Sequence, residues 1–235
     1  VILIVILICL SCKEENGIKH PTQTVIKNDE ERNVVYKVRD TLENLLQKAI
    51  SKDSVNFDNW SPFISFKSGD FISKEKKNAI IATMANDSIL KVELYELKGK
   101  WIKNSELTFS KALIIQFDLR MIDYDFDGSN DIYIQQSASN GFSISRGFLI
   151  TIDPVTQHMK YHPEARELGN MRPEPNEGVV YSDKYNDCPY IKGKPCIVFN
   201  KWQGDKLTTT KTVCPECNTV DFEQETLEYR APRLP

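Results

Sequence analysis

Four aspartates crowd into a short stretch near the middle of the chain, within the sequence IDYDFDGSNDIYI. They are Asp123, Asp125, Asp127 and Asp131, and Gly128 directly follows the third of them. Hard cations such as calcium bind about six to eight oxygens at roughly 2.3–2.6 Å, and alternating carboxylates before a glycine bend can all point to one centre. Without a cation the same carboxylates repel one another. The stretch therefore predicts a calcium site, and an Asx-rich turn held by its own hydrogen bonds is the alternative.

The segments on either side of the aspartates indicate which kind of calcium loop this is. An EF-hand lies between two helices and needs a bidentate glutamate at its twelfth position, where this chain has Ile134. The flanking sequences KALIIQFDLRMI and IYIQQ instead alternate apolar and polar residues, which is the period of a half-buried strand. Both features exclude an EF-hand and predict a loop within a β-hairpin, with a structural ion.

The pattern D-x-D-x-D-G-x-x-D before an alternating strand resembles the calcium loops of integrin-α-type propeller blades. This resemblance implies that Asp131 closes the site and that the backbone carbonyl of Ser129 contributes a ligand. Over roughly residues 88–212 the chain also resembles a family of exported bacterial β-rich proteins, in this loop and in the later segment DPVTQHMKYHPE. Some members of that family inhibit lysozyme-like peptidoglycan hydrolases and act as immunity proteins. The resemblance therefore implies a binding protein.

Outside the loop, the hydrophobic pattern predicts a mainly β protein with one N-terminal amphipathic helix. Apolar residues repeat at helical spacing from about residue 29 to Ile50. Short alternating stretches follow, with hairpin turns at Gly99 and Gly204. We expect an antiparallel sheet or a propeller-like domain over residues 29–235. A full propeller is not expected, because the loop occurs once and no fixed repeat is visible.

The N-terminal segment VILIVILICLSC is apolar up to Cys12. A run of about eleven apolar residues is shorter than the roughly 20 needed to span a bilayer, and it suits the core of a signal peptide. Ser11 and Cys12 resemble a bacterial lipobox, in which the cysteine is lipidated; a plain signal peptide or a short anchor is the alternative. We expect residues 1–12 to be a lipoprotein signal peptide, residues 13–28 a flexible tether, and the protein to be anchored in the bacterial envelope, on the periplasmic or surface face of the outer membrane.

Four further cysteines indicate cross-linking, because export would place them in an oxidising compartment. The spacing of CPEC, residues 214–217, also suits zinc ligands. A Zn²⁺ site and redox catalysis therefore remain alternatives to two disulfides, and four cysteines allow three pairings. The four candidates are Cys188, Cys196, Cys214 and Cys217.

The remaining titratable residues form no familiar catalytic motif, so we expect no catalytic residues. His20 lies in the expected tether, while His158 and His162 would lie about 13 Å apart along a strand, and we expect both at the surface. The glutamates between residues 164 and 177 favour a solvated loop over a carboxylate pair for glycoside hydrolysis.

The charge balance bears on the partner. A net charge of -3 without a clustered basic face gives no sign of nucleic-acid binding. We expect a protein partner, with a peptidoglycan hydrolase as the candidate. An envelope hydrolase or a surface protein that binds glycans or other ligands is the alternative.

Overall fold

The structure is a computed structural model, and it describes residues 29–86, 88–110, 118–138, 144–185 and 195–215. Within these residues one α-helix, α1 (Asp29–Ile50), precedes the strands, and a short 3₁₀ helix (Pro163–Glu167) interrupts them. The strands are β1 (Val55–Trp60), β2 (Phe63–Ser73), β3 (Lys76–Asn86), β4 (Ile89–Lys98), β5 (Lys100–Ser110), β6 (Asp118–Ile122), β7 (Asp131–Ala138), β8 (Ser145–Ile152), β9 (Met159–His162), β10 (Gly169–Glu174), β11 (Val179–Lys184), β12 (Cys196–Gln203) and β13 (Lys206–Val213).

The strands form three antiparallel sheets in chain order. The first sheet contains β1 to β5, the second β6 to β9 and the third β10 to β13, and in each sheet every strand pairs with the next one along the chain. Such meanders arise when tight turns join consecutive strands. At two of the predicted turns Gly99 and Gly204 have φ angles of 72° and 62°, a region that glycine enters without steric cost. The predicted mainly β architecture with one N-terminal helix is confirmed, and the described sheets do not close into a barrel.

The second sheet lies between the other two and is buried on both faces. Side chains alternate along a strand, so Ile132 and Ile134 of β7 face the first sheet while Tyr133 faces the third. All three side chains are fully buried. The core between the second and third sheets contains Tyr124, Tyr133, Leu149, Ala165, Met171, Val180 and Leu207.

The helix covers the outer face of the first sheet with its C-terminal half only. Leu45 and Ala49 are buried against Phe66 and Ile81, and the indole Nε1 of Trp101 donates to the carbonyl of Leu46 at 2.7 Å. Nearer the helix start, the apolar side chains are exposed, namely those of Val34, Val35 and Tyr36. No helix among the described residues has the length and hydropathy needed to cross a membrane.

The structure describes the C-terminal part of the strand that the sequence predicts before the acidic loop. The pattern in KALIIQFDLRMI suggests one continuous strand, but β6 covers Asp118–Ile122. Residues 111–117, with which the predicted strand begins, lie outside the described part of the chain. The described half pairs with β7 in regular register, from Asp118 opposite Gln135 to Ile122 opposite Asp131. This register positions the acidic loop, because it begins directly after the last pair.

Candidate metal centre

The acidic loop connects β6 and β7, so it lies within a β-hairpin as predicted. Ile122 and Asp131 form the pair that closes the hairpin. Within the loop Gly128 has a φ of 90°, which only glycine adopts freely, and Phe126 has a φ of 65°, which is unfavourable for a bulky residue. The strands on both sides exclude an EF-hand, which needs helices in these places.

Three of the four predicted carboxylates come together in the structure. One oxygen from each of Asp123, Asp125 and Asp131 lies within 4.8 Å of the other two. Two oxygens on opposite sides of a calcium ion lie about 4.6–5.2 Å apart, because each calcium–oxygen distance is about 2.3–2.6 Å. The spacing of these three oxygens therefore fits one calcium ion between them.

Asp131 is the buried member of this group and organises the loop. Its side chain is inaccessible to solvent. One oxygen accepts from the backbone N–H groups of Tyr124 at 2.8 Å and Asp125 at 3.2 Å, and the other accepts from that of Ile152 at 3.0 Å. Asp131 therefore holds both the start of the loop and the end of β8.

The other predicted ligands are arranged around the turn. The two oxygens of Asp123 accept from Phe126 N at 2.6 Å and Gly128 N at 3.0 Å. Asp127 does not belong to the group of three; its Oδ1 accepts from the backbone N and the hydroxyl of Ser129, at 2.8 and 2.5 Å. Ser129 is buried, and its hydroxyl also lies 3.5 Å from the carbonyl of Ile152.

Burial raises the pKa of two of the clustered carboxylates, those of Asp125 and Asp131. Burial, together with the neighbouring charge of Asp125, raises the pKa of Asp131 to about 8. Partial burial and the charge of Asp127 raise the pKa of Asp125 to about 6. None of the ion pairs among the described residues involves these aspartates. A bound cation would remove the repulsion that opposes ionisation of the group.

The loop contacts all three sheets, which no local sequence signal reveals. Asn130 N donates to the carbonyl of Phe71 in β2 at 3.0 Å. Asp131 bonds to Ile152 of β8, as described above, and the indole Nε1 of Trp202 in β12 donates to the carbonyl of Tyr124 at 2.8 Å. The loop is therefore hydrogen-bonded to strands of the first, second and third sheets.

His162 is buried, so the prediction that both histidines of the HMKYH segment are surface residues is wrong for one of them. His158 is exposed, but only 2% of His162 is accessible to solvent. The second sheet is covered on both faces, so the side of β9 that carries His162 lies against the third sheet, where the rings of His162 and Trp202 meet edge to face at 4.8 Å.

His162 lies between a hydroxyl and a carboxylate, in the order of a catalytic triad. Its Nε2 is 2.8 Å from the hydroxyl of Thr151, and its Nδ1 is 3.5 Å from Glu164 Oε1. A nucleophile must be reached by substrate, but only 8% of Thr151 is exposed. The same oxygen of Glu164 accepts from Leu207 N in β13 at 3.1 Å. The arrangement therefore links the second and third sheets.

We expect the buried His162 to make folding stability fall on mild acidification. Burial, which outweighs the nearby charge of Glu164, lowers the pKa of His162 below its ordinary value of about 6.5. Between that ordinary value and the lower folded value the unfolded chain binds a proton that the folded chain does not, so stability is lost as the pH falls through this window. Urea unfolding of wild type and His162→Gln at pH values around 7.5 and 5.5 measures this loss.

The matched control is His158→Gln, because His158 is exposed on the neighbouring turn. The change in stability on going from about pH 7.5 to 5.5 should be more favourable in His162→Gln than in wild type, because only wild type carries the loss due to His162, and His158→Gln should match wild type. The raised pKa values of Asp125 and Asp131 act with the opposite sign in all three proteins, so they cancel in this comparison. An equal pH dependence in all three proteins would contradict the role given to His162.

The predicted acidic stretch is dispersed rather than gathered into a pair. Glu167 pairs with Arg146 at the surface, and Glu174 and Glu177 lie in the β10–β11 hairpin. There Glu174 accepts from Asn176, and Glu177 accepts from the hydroxyl of Tyr181. These contacts are those of a solvated, internally bonded turn.

Two of the four cysteine candidates form a disulfide. Cys196 and Cys214 are joined, with their Cα atoms 4.1 Å apart. The hairpin places them there, because Ile197 pairs with Val213 and the two cysteines are the next residues outward. Zinc binds cysteine as the thiolate, which a disulfide-bonded cysteine does not have. A zinc site with all four cysteines as ligands is therefore incompatible with this disulfide. Cys188 and Cys217 lie outside the described residues, as does the predicted lipidation site Cys12.

Comparison with known proteins gives no family to which the chain can be assigned. No family model matches the chain, and no curated protein matches it.

Proposed function

We propose that the β6–β7 loop binds one calcium ion with a structural role. The observation that carries this proposal is the convergence of Asp123, Asp125 and Asp131, whose nearest oxygens lie within 4.8 Å of one another. Asp127 and the backbone carbonyl of Ser129 complete the proposed ligand set, for which the carboxylate of Asp127 would turn from Ser129 towards the ion. Carboxylate and carbonyl oxygens are the ligands that calcium prefers.

A structural role follows from where the loop lies. The backbone of the loop is bonded to β2, β8 and β12. An ion that holds Asp123, Asp125 and Asp131 together would therefore hold the three sheets in one arrangement. It would also allow the buried carboxyl of Asp131 to remain ionised at neutral pH.

Trp202 provides a direct optical test of the calcium proposal. Its indole donates to Tyr124 O inside the loop, so adding calcium should change the tryptophan emission. Trp202→Phe should remove that change, whereas Trp101→Phe, whose indole bonds to the helix at Leu46, should retain it. Emission that does not respond to calcium up to about 10 mM, beyond the weakest extracellular calcium sites, would refute the proposal.

At the level of the whole protein, we propose an envelope lipoprotein, anchored at Cys12, that captures and inhibits a peptidoglycan hydrolase. The apolar segment before Cys12 supports export. The Cys196–Cys214 disulfide is also typical of an oxidising compartment. A binding role is supported over catalysis because Thr151 and His162, which would be the nucleophile and the base, are buried, with the ring of His162 against Trp202.

A capture experiment tests this role. Residues 17–235 are immobilised in calcium, envelope and secreted proteins of bacteria are passed over them, and retained proteins are identified and assayed. We expect a peptidoglycan hydrolase to be retained at a one-to-one ratio and to lose activity in the complex. Asp125→Asn, in which the loop has lost a proposed ligand, is the matched control and should retain less. Turnover of peptidoglycan by the immobilised protein itself would instead indicate a hydrolase.

A further inference from the structure

The third sheet is attached to the second through a smaller core than the one that joins the first two sheets. Among the described residues, fifteen buried hydrophobic side chains pack between the first and second sheets, and seven pack between the second and third. All four strands of the third sheet come from one part of the chain, between residues 169 and 213. Contiguous units with few buried apolar contacts open before the rest of a protein does. We therefore expect the third sheet to be the first to separate.

The interface between the second and third sheets also buries polar groups that water could hydrate. The hydroxyl of Tyr124 is buried there, without a hydrogen-bond partner in the described part of the chain. Such a group opposes the closed arrangement, because water would satisfy it once the sheets separate. The imidazole of His162, which is 2% exposed, lies at the same interface.

The indole of Trp202 connects the third sheet to the proposed calcium loop. Trp202 lies in β12, and its Nε1 donates to the carbonyl of Tyr124 at 2.8 Å. Tyr124 stands between Asp123 and Asp125 in the chain, and its N–H donates to Asp131 Oδ2 at 2.8 Å. An ion bound to the three aspartates would hold the Tyr124 carbonyl where the indole meets it. Calcium would therefore stabilise the third sheet in its closed position.

The same indole contacts His162, with the ring centroids 4.8 Å apart. The imidazole also meets the hydroxyl of Thr151 at 2.8 Å and the carboxylate of Glu164 at 3.5 Å. Two further charges act on it, those of Lys160 and Asp205, which pair with each other. Burial outweighs the attraction of Glu164 and lowers the pKa of His162. Opening of the interface removes this burial, so the open state binds a proton more strongly than the closed state does.

We propose that the third sheet opens from the second while the first two sheets stay packed, and that calcium at the β6–β7 loop suppresses this opening whereas a proton on His162 promotes it. Trp202 couples the two effects, because its indole contacts both the loop and the imidazole. Calcium favours the closed state and the proton favours the open state, so each weakens the binding of the other. The calcium half rests on the proposed calcium site, and the proton half does not.

Hydrogen exchange of backbone amides measures the opening. Exchange rates are corrected for the intrinsic effect of pH, and the opening constants of amides in β11 and β12 are compared with those in β3 and β4 of the first sheet. In calcium-free wild type the amides of the third sheet should open more often than those of the first sheet. This difference is expected because the third sheet separates without global unfolding.

The proton half is tested by comparing wild type with His162→Gln at about pH 7.5 and 5.5. The rise in the opening constant of the third sheet on acidification should be roughly three- to tenfold larger in wild type. The upper value is the gain in protonation of a solvated imidazole with a pKa of about 6.5 over this range. His158→Gln, which changes an exposed histidine, should match wild type. Asp125 and Asp131, whose pKa values are raised, are present in all three proteins and cancel.

The calcium half is tested with Trp202→Phe, which keeps a ring beside His162 but removes the indole N–H. In wild type, calcium at about 100 times its Kd should lower the opening constant of the third sheet by about fivefold or more. Trp202→Phe should lose this effect although calcium still raises its thermal unfolding midpoint. The matched control is Trp101→Phe, whose indole bonds to the helix at Leu46, and it should respond as wild type does.

The inference is overturned if the amides of the first and third sheets of wild type share one opening constant, because the sheets then separate only on global unfolding. That comparison needs no variant, so it decides the matter even if a variant fails to fold. An equal response to pH in wild type and His162→Gln refutes the proton half. Calcium that raises the unfolding midpoint of wild type without slowing exchange in the third sheet refutes the calcium half.

Failure of the calcium site itself gives a different result. The unfolding midpoint of wild type would then not respond to calcium, and the site and the calcium half would be refuted together. The proton half would still be decided by exchange in the calcium-free protein.

Discussion

Calcium is expected to raise the thermal unfolding midpoint of this protein by roughly 5–10 °C at a concentration about 100 times its Kd. A ligand that binds only the folded state at this excess adds about 2.7 kcal/mol to the free energy of unfolding, and about 1 kcal/mol shifts the midpoint of a domain of this size by roughly 2–4 °C. The physical source is the gathering of Asp123, Asp125 and Asp131, which repel one another until a cation lies between them. Thermal melts in calcium and in chelator measure the shift.

Asp125→Asn should abolish this shift with little change in the calcium-free protein. Asp125 is partly exposed, and its carboxylate accepts from Asp127 N at a long 3.2 Å. The side-chain amide oxygen of an asparagine at this position can accept the same hydrogen bond, so the turn should be retained. The matched control is Asp153→Asn. Asp153 also accepts hydrogen bonds from the backbone of an exposed turn, from Val155 N and Thr156 N, but it does not belong to the group of three carboxylates. The Asp153 variant should keep the full shift. If neither calcium nor chelator changes the unfolding midpoint of wild type, the calcium site is ruled out.

Asp131→Ala is expected to lower the free energy of unfolding by about 3–5 kcal/mol in calcium, the largest effect of any single change in the loop. The substitution leaves the N–H groups of Tyr124, Asp125 and Ile152 without their acceptor. Each buried group left unsatisfied costs about 1–3 kcal/mol. Part of this cost is offset in the calcium-free protein, because burial already disfavours the ionised form of Asp131. Urea unfolding with and without calcium gives both values.

Asp131→Asn separates the hydrogen bonds from the charge. It keeps one acceptor oxygen in the same place but removes a proposed calcium ligand. Its stability in calcium should lie between those of wild type and Asp131→Ala, and it should not respond to the ion. If Asp131→Ala costs less than about 1 kcal/mol, the typical effect of a single substitution, then Asp131 does not organise the junction of the three sheets.

Several features of the fold could be predicted from the sequence because their causes are local. The 3.6-residue repeat ending at Ile50 predicts α1, and the turn at Gly99 follows from the positive φ that a tight hairpin requires. The candidate metal centre is local as well, since its carboxylates lie within nine residues of chain and a single hairpin gathers them. The exception within the loop is Asp127, whose bond to the neighbouring Ser129 was not evident from spacing alone.

The cysteine pairing needed more than the sequence. Four cysteines allow three pairings, and only the register of β12 against β13 brings Cys196 opposite Cys214. That register depends on an irregularity between Phe199 and Asn200, which shifts the pairing by one residue. Alternating apolar residues predict the hairpin but not its bulge.

The sequence by itself determined the class of secondary structure, the hairpin turns and the acidic loop, since each depends on residues only a few positions apart. The tertiary structure alone decided which faces of the sheets are covered. It buried His162 because a third sheet lies over the second, where the ring of Trp202 meets the imidazole. It also brought Trp202 to Tyr124, across 78 residues of chain. Alternation along a strand shows which side chains share a face, but what lies against that face depends on how the sheets stack.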